Sequence, residues 1–156
     1  MTQNNTIADT RPFDPAASIF VSANAGAGKT SLLTNRVLSL LLHGVSPSKL
    51  LCITFTNAAA AEMLNRVFKA LGEWVMAPEE RLIVQLQQLL GHAPSQAQIA
   101  RARSLFADVL EAPEGLGIQT IHAFCQSLLR RFPVEAAISP YFKVMDARSE
   151  QEMLQE

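Results

Sequence analysis

Between an apolar run, Ser18-Ile19-Phe20-Val21, and a stretch from Ser31 to His43 that repeats Leu and Val at helical spacing, the chain carries Ala23-Asn24-Ala25-Gly26-Ala27-Gly28-Lys29-Thr30. Small residues followed by Gly-Lys-Thr let successive backbone N–H groups curl around an anion, and a helix that starts directly behind them adds the positive end of its dipole. In a loop of this kind Lys29 reaches the β- and γ-phosphates and the Thr30 hydroxyl ligates Mg²⁺. The residues alone also fit a plain glycine turn with an exposed lysine. The order of apolar β-rich run, loop and helix is what favours the phosphate-binding reading.

That reading asks for a sheet, and the chain supplies candidates. Leu50 to Phe55 is a second apolar, partly β-branched run, and residues 18 to 55 together have the length of a βαβ unit with parallel strands and a right-handed crossover. Asn57 to Leu71 is patterned as a helix that Thr56 or Asn57 caps and Gly72 ends. Residues 78 to 110 read as two helices parted by Gly91-His92-Ala93-Pro94, the second opened by Ser95 and Gln98 at capping-box spacing. A turn at Pro113 to Gly117 leads to a strand, Ile118 to Ile121, and a helix, His122 to Phe132, that Pro133 stops. Tyr141 to Met145 reads as a further strand, and Ser149 with Glu152 as the opening of a last helix. The expected fold class is therefore α/β, a parallel sheet with an inserted helical subdomain, divided into a flexible arm (1–14), the first part of the sheet with its glycine-rich loop (15–71), the helical insertion (72–116) and the return to the sheet (117–156).

Bulk properties narrow the partners. With 156 residues, 49% of them hydrophobic, the chain can bury a core, and a net charge of −1 with only four lysines gives no broad basic face. Any nucleic-acid contact must be local. Cys52 and Cys125 lie far apart in apolar segments without metal-ligand spacing, so reduced, buried thiols and a cytoplasmic location are expected. Residues 1 to 15 are polar and lack the apolar core of a signal peptide, and no apolar run approaches membrane-spanning length, so no membrane association is expected.

Three segments share one property: the loop at 23–30, "TFTNAAAAEM" at 54–63 and "TIHAFC" at 120–125 each lie where a strand gives way to a helix. In open α/β sheets that edge is where ligands bind. The sequence A-x-A-G-x-G-K-T, then T-F-T-N-x-A-A-x-E-M, then T-x-H-x-F resembles the first motifs of superfamily-one DNA helicases of the UvrD and RecB kind. "LCITFTNAAAAEM", "GLGIQTIHAFCQSLLRRFP" and "EAAISPYFKVMD" look most like the AddA group of helicase–nuclease proteins, over residues 14 to 155.

The resemblance implies that Ala25, Gly26, Ala27, Gly28, Lys29, Thr30 and Ser31 cradle ATP with Mg²⁺ on Thr30, Lys29 and Thr30 serving the phosphoryl chemistry. It implies that Thr54, Phe55, Thr56, Asn57, Thr120, His122 and Phe124 meet single-stranded DNA. It implies that the sheet is a P-loop NTPase (RecA-like) sheet, truncated, with 15–71 the first part of its ATP-binding domain, and that the whole is an ATP-dependent helicase with a nuclease domain, acting on double-stranded DNA ends in break repair and recombination beside an AddB-like partner subunit. Hydroxyls and helix-start amides suit phosphate oxygens, and Phe55 or Phe124 offers a face on which any base stacks. Core packing is the competing account of Phe55, Met63 and Phe124, helix capping that of His122, and a solvated helix end that of Arg130-Arg131. Two positions depart from the group: Ala58 stands where a lysine is usual, and Asp9 to Phe13 occupy the place of an adenine-reading glutamine. The Asp-Glu pair that holds Mg²⁺ and water in this class does not occur in the 156 residues, so the fragment is expected to bind nucleotide but not to unwind. A stand-alone, non-catalytic P-loop switch or interaction module is the alternative.

Overall fold

Two short strands, β1 (Leu51–Thr54) and β2 (Gly117–Thr120), lie parallel in the computed structural model, in register from Leu51 opposite Gly117 to Thr54 opposite Thr120. Parallel strands need a long crossover, and here it consists of three helices: α2 (Asn57–Met76), α3 (Glu79–Leu90) and α4 (Gln96–Glu111). Helix α1 (Lys29–Leu42) precedes β1, and α5 (Ile121–Arg131) follows β2. The structure describes residues 14–22, 26, 28–113, 115–139 and 141–144. They fall into two units, divided between Thr120 and Ile121 and taken separately below.

In the first unit the core lies among the helices. Leu38 and Leu41 of α1, Val67 and Leu71 of α2, Leu82 and Leu86 of α3, and Leu105 and Val109 of α4 are all buried. Their spacing of three or four along each helix puts them on one stripe. Leu50, Cys52 and Ile118 pack against this core from the sheet, whereas Leu51 and Ile53, alternate residues of β1, face outward and are exposed. This is the alternation that a half-covered strand requires.

Helix ends follow their local chemistry. The Thr56 hydroxyl accepts from the Ala59 amide at 3.1 Å and caps α2. Ser95 and Gln98 close the expected capping box on α4, with Gln98 N–H donating to Ser95 Oγ at 3.3 Å and Ser95 N–H to Gln98 Oε1 at 2.9 Å. Gly91 ends α3 at φ 77°, where a side chain is disfavoured. Two arginines of α4 hold the far ends of its neighbours: Arg101 Nε donates to the Leu41 carbonyl at 2.6 Å, and Arg103 Nη1 to those of Trp74 (2.9 Å) and Val75 (2.6 Å). Arg101 is a second donor to the Leu41 carbonyl, which also accepts from the Gly44 amide at 3.1 Å, while Arg103 meets two carbonyls of the last turn of α2, where intrahelical partners run out.

Three expectations are corrected. Gly72 does not end α2; the helix runs on to Met76 and stops before Ala77-Pro78, because proline disfavours the helical conformation of the residue before it. The run 18–21 forms no strand: it joins neither β1 nor β2, and Phe20, 92% exposed, packs on no core, so strand composition alone does not make a ladder here. In the second unit Tyr141 to Val144 form a turn and irregular chain, the Phe142 amide donating to the Ser139 carbonyl at 3.0 Å. Residues 1–13, Met145 and the expected helix from Ser149 lie outside the described residues.

Two glycines test this packing with opposite signs. A Cβ on Gly117 would stand 2.5 Å from the Leu50 carbonyl oxygen, a backbone atom that cannot yield, whereas one on Gly72 meets only Phe106 Cε2, at 3.9 Å. Gly117→Ala should destabilise the protein by about 1–3 kcal/mol, and Gly72→Ala should stabilise it by about 0.5–1 kcal/mol. Denaturant melts of the two variants beside the parent measure both.

Candidate functional site

The phosphate-loop segment meets α1 at Gly28, the N-cap, with φ 80° and ψ 15°, and Gly26 also has φ 80°. Both lie in the left-handed region that glycine enters without cost. A Cβ on either would find no atom within 4 Å, so backbone torsion and not crowding selects glycine here. Ala23, Asn24, Ala25 and Ala27 lie outside the described residues. No side chain caps α1, in contrast to α2 and α4. The amides of its first turn are therefore directed past the helix end, where the dipole favours an anion. Lys29 and Thr30 are half-buried and Ser31 is exposed; the Thr30 carbonyl accepts from the buried Thr34 hydroxyl at 2.9 Å, which holds that first turn. Backbone amides, an ammonium and the Thr30 hydroxyl form a donor set that fits a nucleotide's phosphates and their magnesium ion. Among the described residues no group of His, Cys, Asp and Glu side chains comes together to hold a metal by itself.

The second part of the site is the carboxyl edge of the sheet. Thr54 and Thr120 are register partners at the last step of the ladder, so two motifs from distant parts of the sequence end side by side. Thr120 is buried, at 7% exposure, while Phe55 leaves the strand at 85% exposure and takes no part in the core of the first unit. Met63, by contrast, packs against the core. Thr56 follows, its hydroxyl accepting from Ala59 N–H and retaining a proton to donate. Asn57 opens α2, exposed.

His122 and Phe124 belong to the second unit. Helix α5 starts at Ile121, so His122 lies within its first turn, exposed, and not at the capping position. Phe124 is half-buried, and Arg130 and Arg131 end the helix exposed, on the end where cations complement the dipole.

One pair had no place among the expected site residues. Arg66 and Glu62, one turn apart on α2, form an ion pair at 2.6 Å, and Arg66 Nη1 also donates to Ser31 Oγ at 3.3 Å. An exposed pair of this kind adds little stability. Its consequence is geometric, since it bridges the helix behind Thr56 to the first turn behind the phosphate loop. The i, i+4 spacing was legible in the sequence; the reach across to Ser31 was not. The thiols also differ from expectation. Cys52 is partly buried in β1, where desolvation pushes its pKa up, but Cys125 is exposed on α5; both are free. No described helix is long and apolar enough to cross a membrane.

The loop, the sheet edge and the helices between them all fall within one known family: the UvrD/REP helicase N-terminal domain matches residues 4–156. The chain belongs to that family. It is 34% identical over 139 residues to an ATP-dependent helicase/nuclease subunit of Pediococcus pentosaceus, covering 89% of this chain and 10% of that protein. The proteins of the same description from Enterococcus faecalis (34% over 144 residues, 92% of this chain and 10% of the relative) and Heliobacterium modesticaldum (34% over 131 residues, 83% and 8%) are similar to the same extent. The chain thus spans about a tenth of the length of these curated relatives.

The cap that presents the sheet edge can be tested separately from any ligand. Thr56→Ala should destabilise the protein by about 1 kcal/mol and Thr56→Ser by much less, because serine retains the oxygen that accepts from Ala59. Equilibrium unfolding reports both.

Proposed function

We propose that this chain is the ATP-binding part of the first motor domain of an ATP-dependent DNA helicase–nuclease, one that processes double-stranded DNA ends in break repair and recombination. The observation that carries the reading is the in-register ending of β1 and β2 at Thr54 and Thr120, with Phe55 projecting from the same edge. The part-exposed Thr54 hydroxyl and the unburied Phe55 ring at this edge suit a strand of any sequence, which a motor must accept. The curated relatives share the helicase/nuclease description, and the family match covers nearly the whole chain.

In this reading the fold is a RecA-like P-loop sheet in which 72–116 is the helical insertion and 117–156 returns to the sheet. Ala25 to Ser31 hold the phosphates of ATP through backbone amides; Lys29 supplies positive charge at the β- and γ-phosphates, and the Thr30 hydroxyl ligates Mg²⁺. Bound Mg·ATP supplies the phosphoryl-transfer chemistry that drives such motors. Thr54, Thr56, Asn57 and Thr120 position the DNA backbone through hydroxyl, side-chain amide and helix-start N–H groups, Phe55 stacks on a base, and His122 and Phe124 of the second unit are further DNA contacts. Ala58 contributes no charge where the family commonly has a lysine, so affinity rests more heavily on stacking. The intact protein acts in the cytoplasm with an AddB-like second subunit.

Two substitutions in the intact protein test the assignment. Lys29→Ala should abolish unwinding and weaken ATP binding at least about tenfold, as loss of a charged phosphate contact predicts; unchanged nucleotide affinity would overturn the phosphate-loop reading. Phe55→Ala should lower single-stranded DNA affinity by about 1–3 kcal/mol while leaving ATP affinity intact, and parent binding should fall steeply with salt. Salt-independent binding that ignores Phe55 would favour a nucleotide switch with a protein partner.

A further inference from the structure

The chain that enters the phosphate loop is tied to α1 by one side chain. Asp14-Pro15-Ala16-Ala17 forms a tight turn in which the Ala16 amide donates to Asp14 Oδ1 at 2.9 Å and the Ala17 amide to the Asp14 carbonyl at 3.2 Å. Arg36 grips this turn: Nη1 donates to the Asp14 carbonyl at 3.1 Å and Nη2 to the Ala17 carbonyl at 2.6 Å. Arg36 stands seven residues, or about 10 Å of helix, beyond Lys29. The 18–22 segment between turn and loop has no ladder, and Phe20 within it is exposed.

We propose that Arg36 is a positioning residue for nucleotide binding, closing the base of the loop–helix unit so that Gly26, Gly28 and the first turn of α1 are held ready for phosphate. The inference rests on the nucleotide-binding reading above. Its physical basis is the cost of ordering. Glycines in the left-handed region lose more freedom on being fixed than other residues, and a limb without a sheet partner restrains them little. A planar guanidinium with two parallel donors fixes two carbonyls at once, which an ammonium cannot do. If the binding-competent loop is populated only part of the time, apparent affinity falls by that fraction, while the bound complex, once formed, is unchanged.

The experiment is steady-state ATPase of the intact, DNA-stimulated protein, with ATP binding measured separately. Arg36→Ala should raise KM and Kd for ATP on the order of tenfold with kcat at saturating ATP and DNA affinity unchanged, and should speed amide exchange across 18–22. Arg36→Lys, able to reach one carbonyl, should give a smaller rise, and it provides the reading if Arg36→Ala does not fold. A folded variant of either kind with unchanged KM, or with lowered kcat at unchanged KM, would overturn the proposal. Parent protein that fails to bind ATP would overturn the nucleotide reading itself, an outcome distinct from a parent that binds and an Arg36 variant that matches it.

Discussion

The parallel ladder between β1 and β2 is the constraint from which the rest of the first unit follows. Hydrogen-bonding Leu51 through Thr54 to Gly117 through Thr120 joins segments separated by three helices, and the entropy of closing so long a crossover must be recovered by packing those helices together. The ladder also dictates Gly117, because the Leu50 carbonyl lies where a Cβ would stand. Its far end brings Thr54 and Thr120 together, so one pairing event fixes both the fold and the edge that the functional reading depends on.

The same device, a chain turning into a helix N-terminus, occurs twice with opposite treatment of the exposed amides. At α2 the protein caps its own helix with Thr56; at α1 the N-cap is a left-handed glycine with no side chain to offer. An uncapped end is costly unless water or a ligand meets its amides, whereas a capped one is complete in itself. The difference separates a place suited to phosphate from a place suited to presenting Phe55. The Arg66 guanidinium, shared between Glu62 and Ser31, spans the two.

The helical crossover is held by more than apolar burial. Arg101 and Arg103 reach from α4 to the final carbonyls of α1 and α2, so the insertion is fastened to the helix behind the phosphate loop and to the helix behind Thr56. Cation-to-carbonyl bonds at helix C-termini are among the stronger hydrogen bonds, and their direction also complements the dipole.

Much was legible from sequence because its causes are local. The glycine, lysine and threonine of the loop, the Ser95–Gln98 capping box, the Thr56 cap and the helical stripes depend on residues within a turn or two, and the structure forms all the helices and caps it describes there. The 54–57 and 120–124 motifs were legible as residues, and the family match over 4–156 bears out the resemblance they carry. What the sequence could not decide depends on neighbours. The run 18–21 has strand composition yet no ladder, Gly72 passes through a helix it was expected to end, and Cys125 lies on an exposed face. The reach of Arg36 to Asp14 and Ala17, and of Arg66 to Ser31, spans 19 to 35 residues and leaves no periodic trace. By itself the sequence determined the helices, their caps and the chemistry of the motifs, since those follow from short-range sterics and hydrogen bonding. Only the tertiary structure decided which strands pair, which aromatic ring stays in solvent and which distant backbone and hydroxyl groups the arginines reach, since each depends on neighbours distant in the chain.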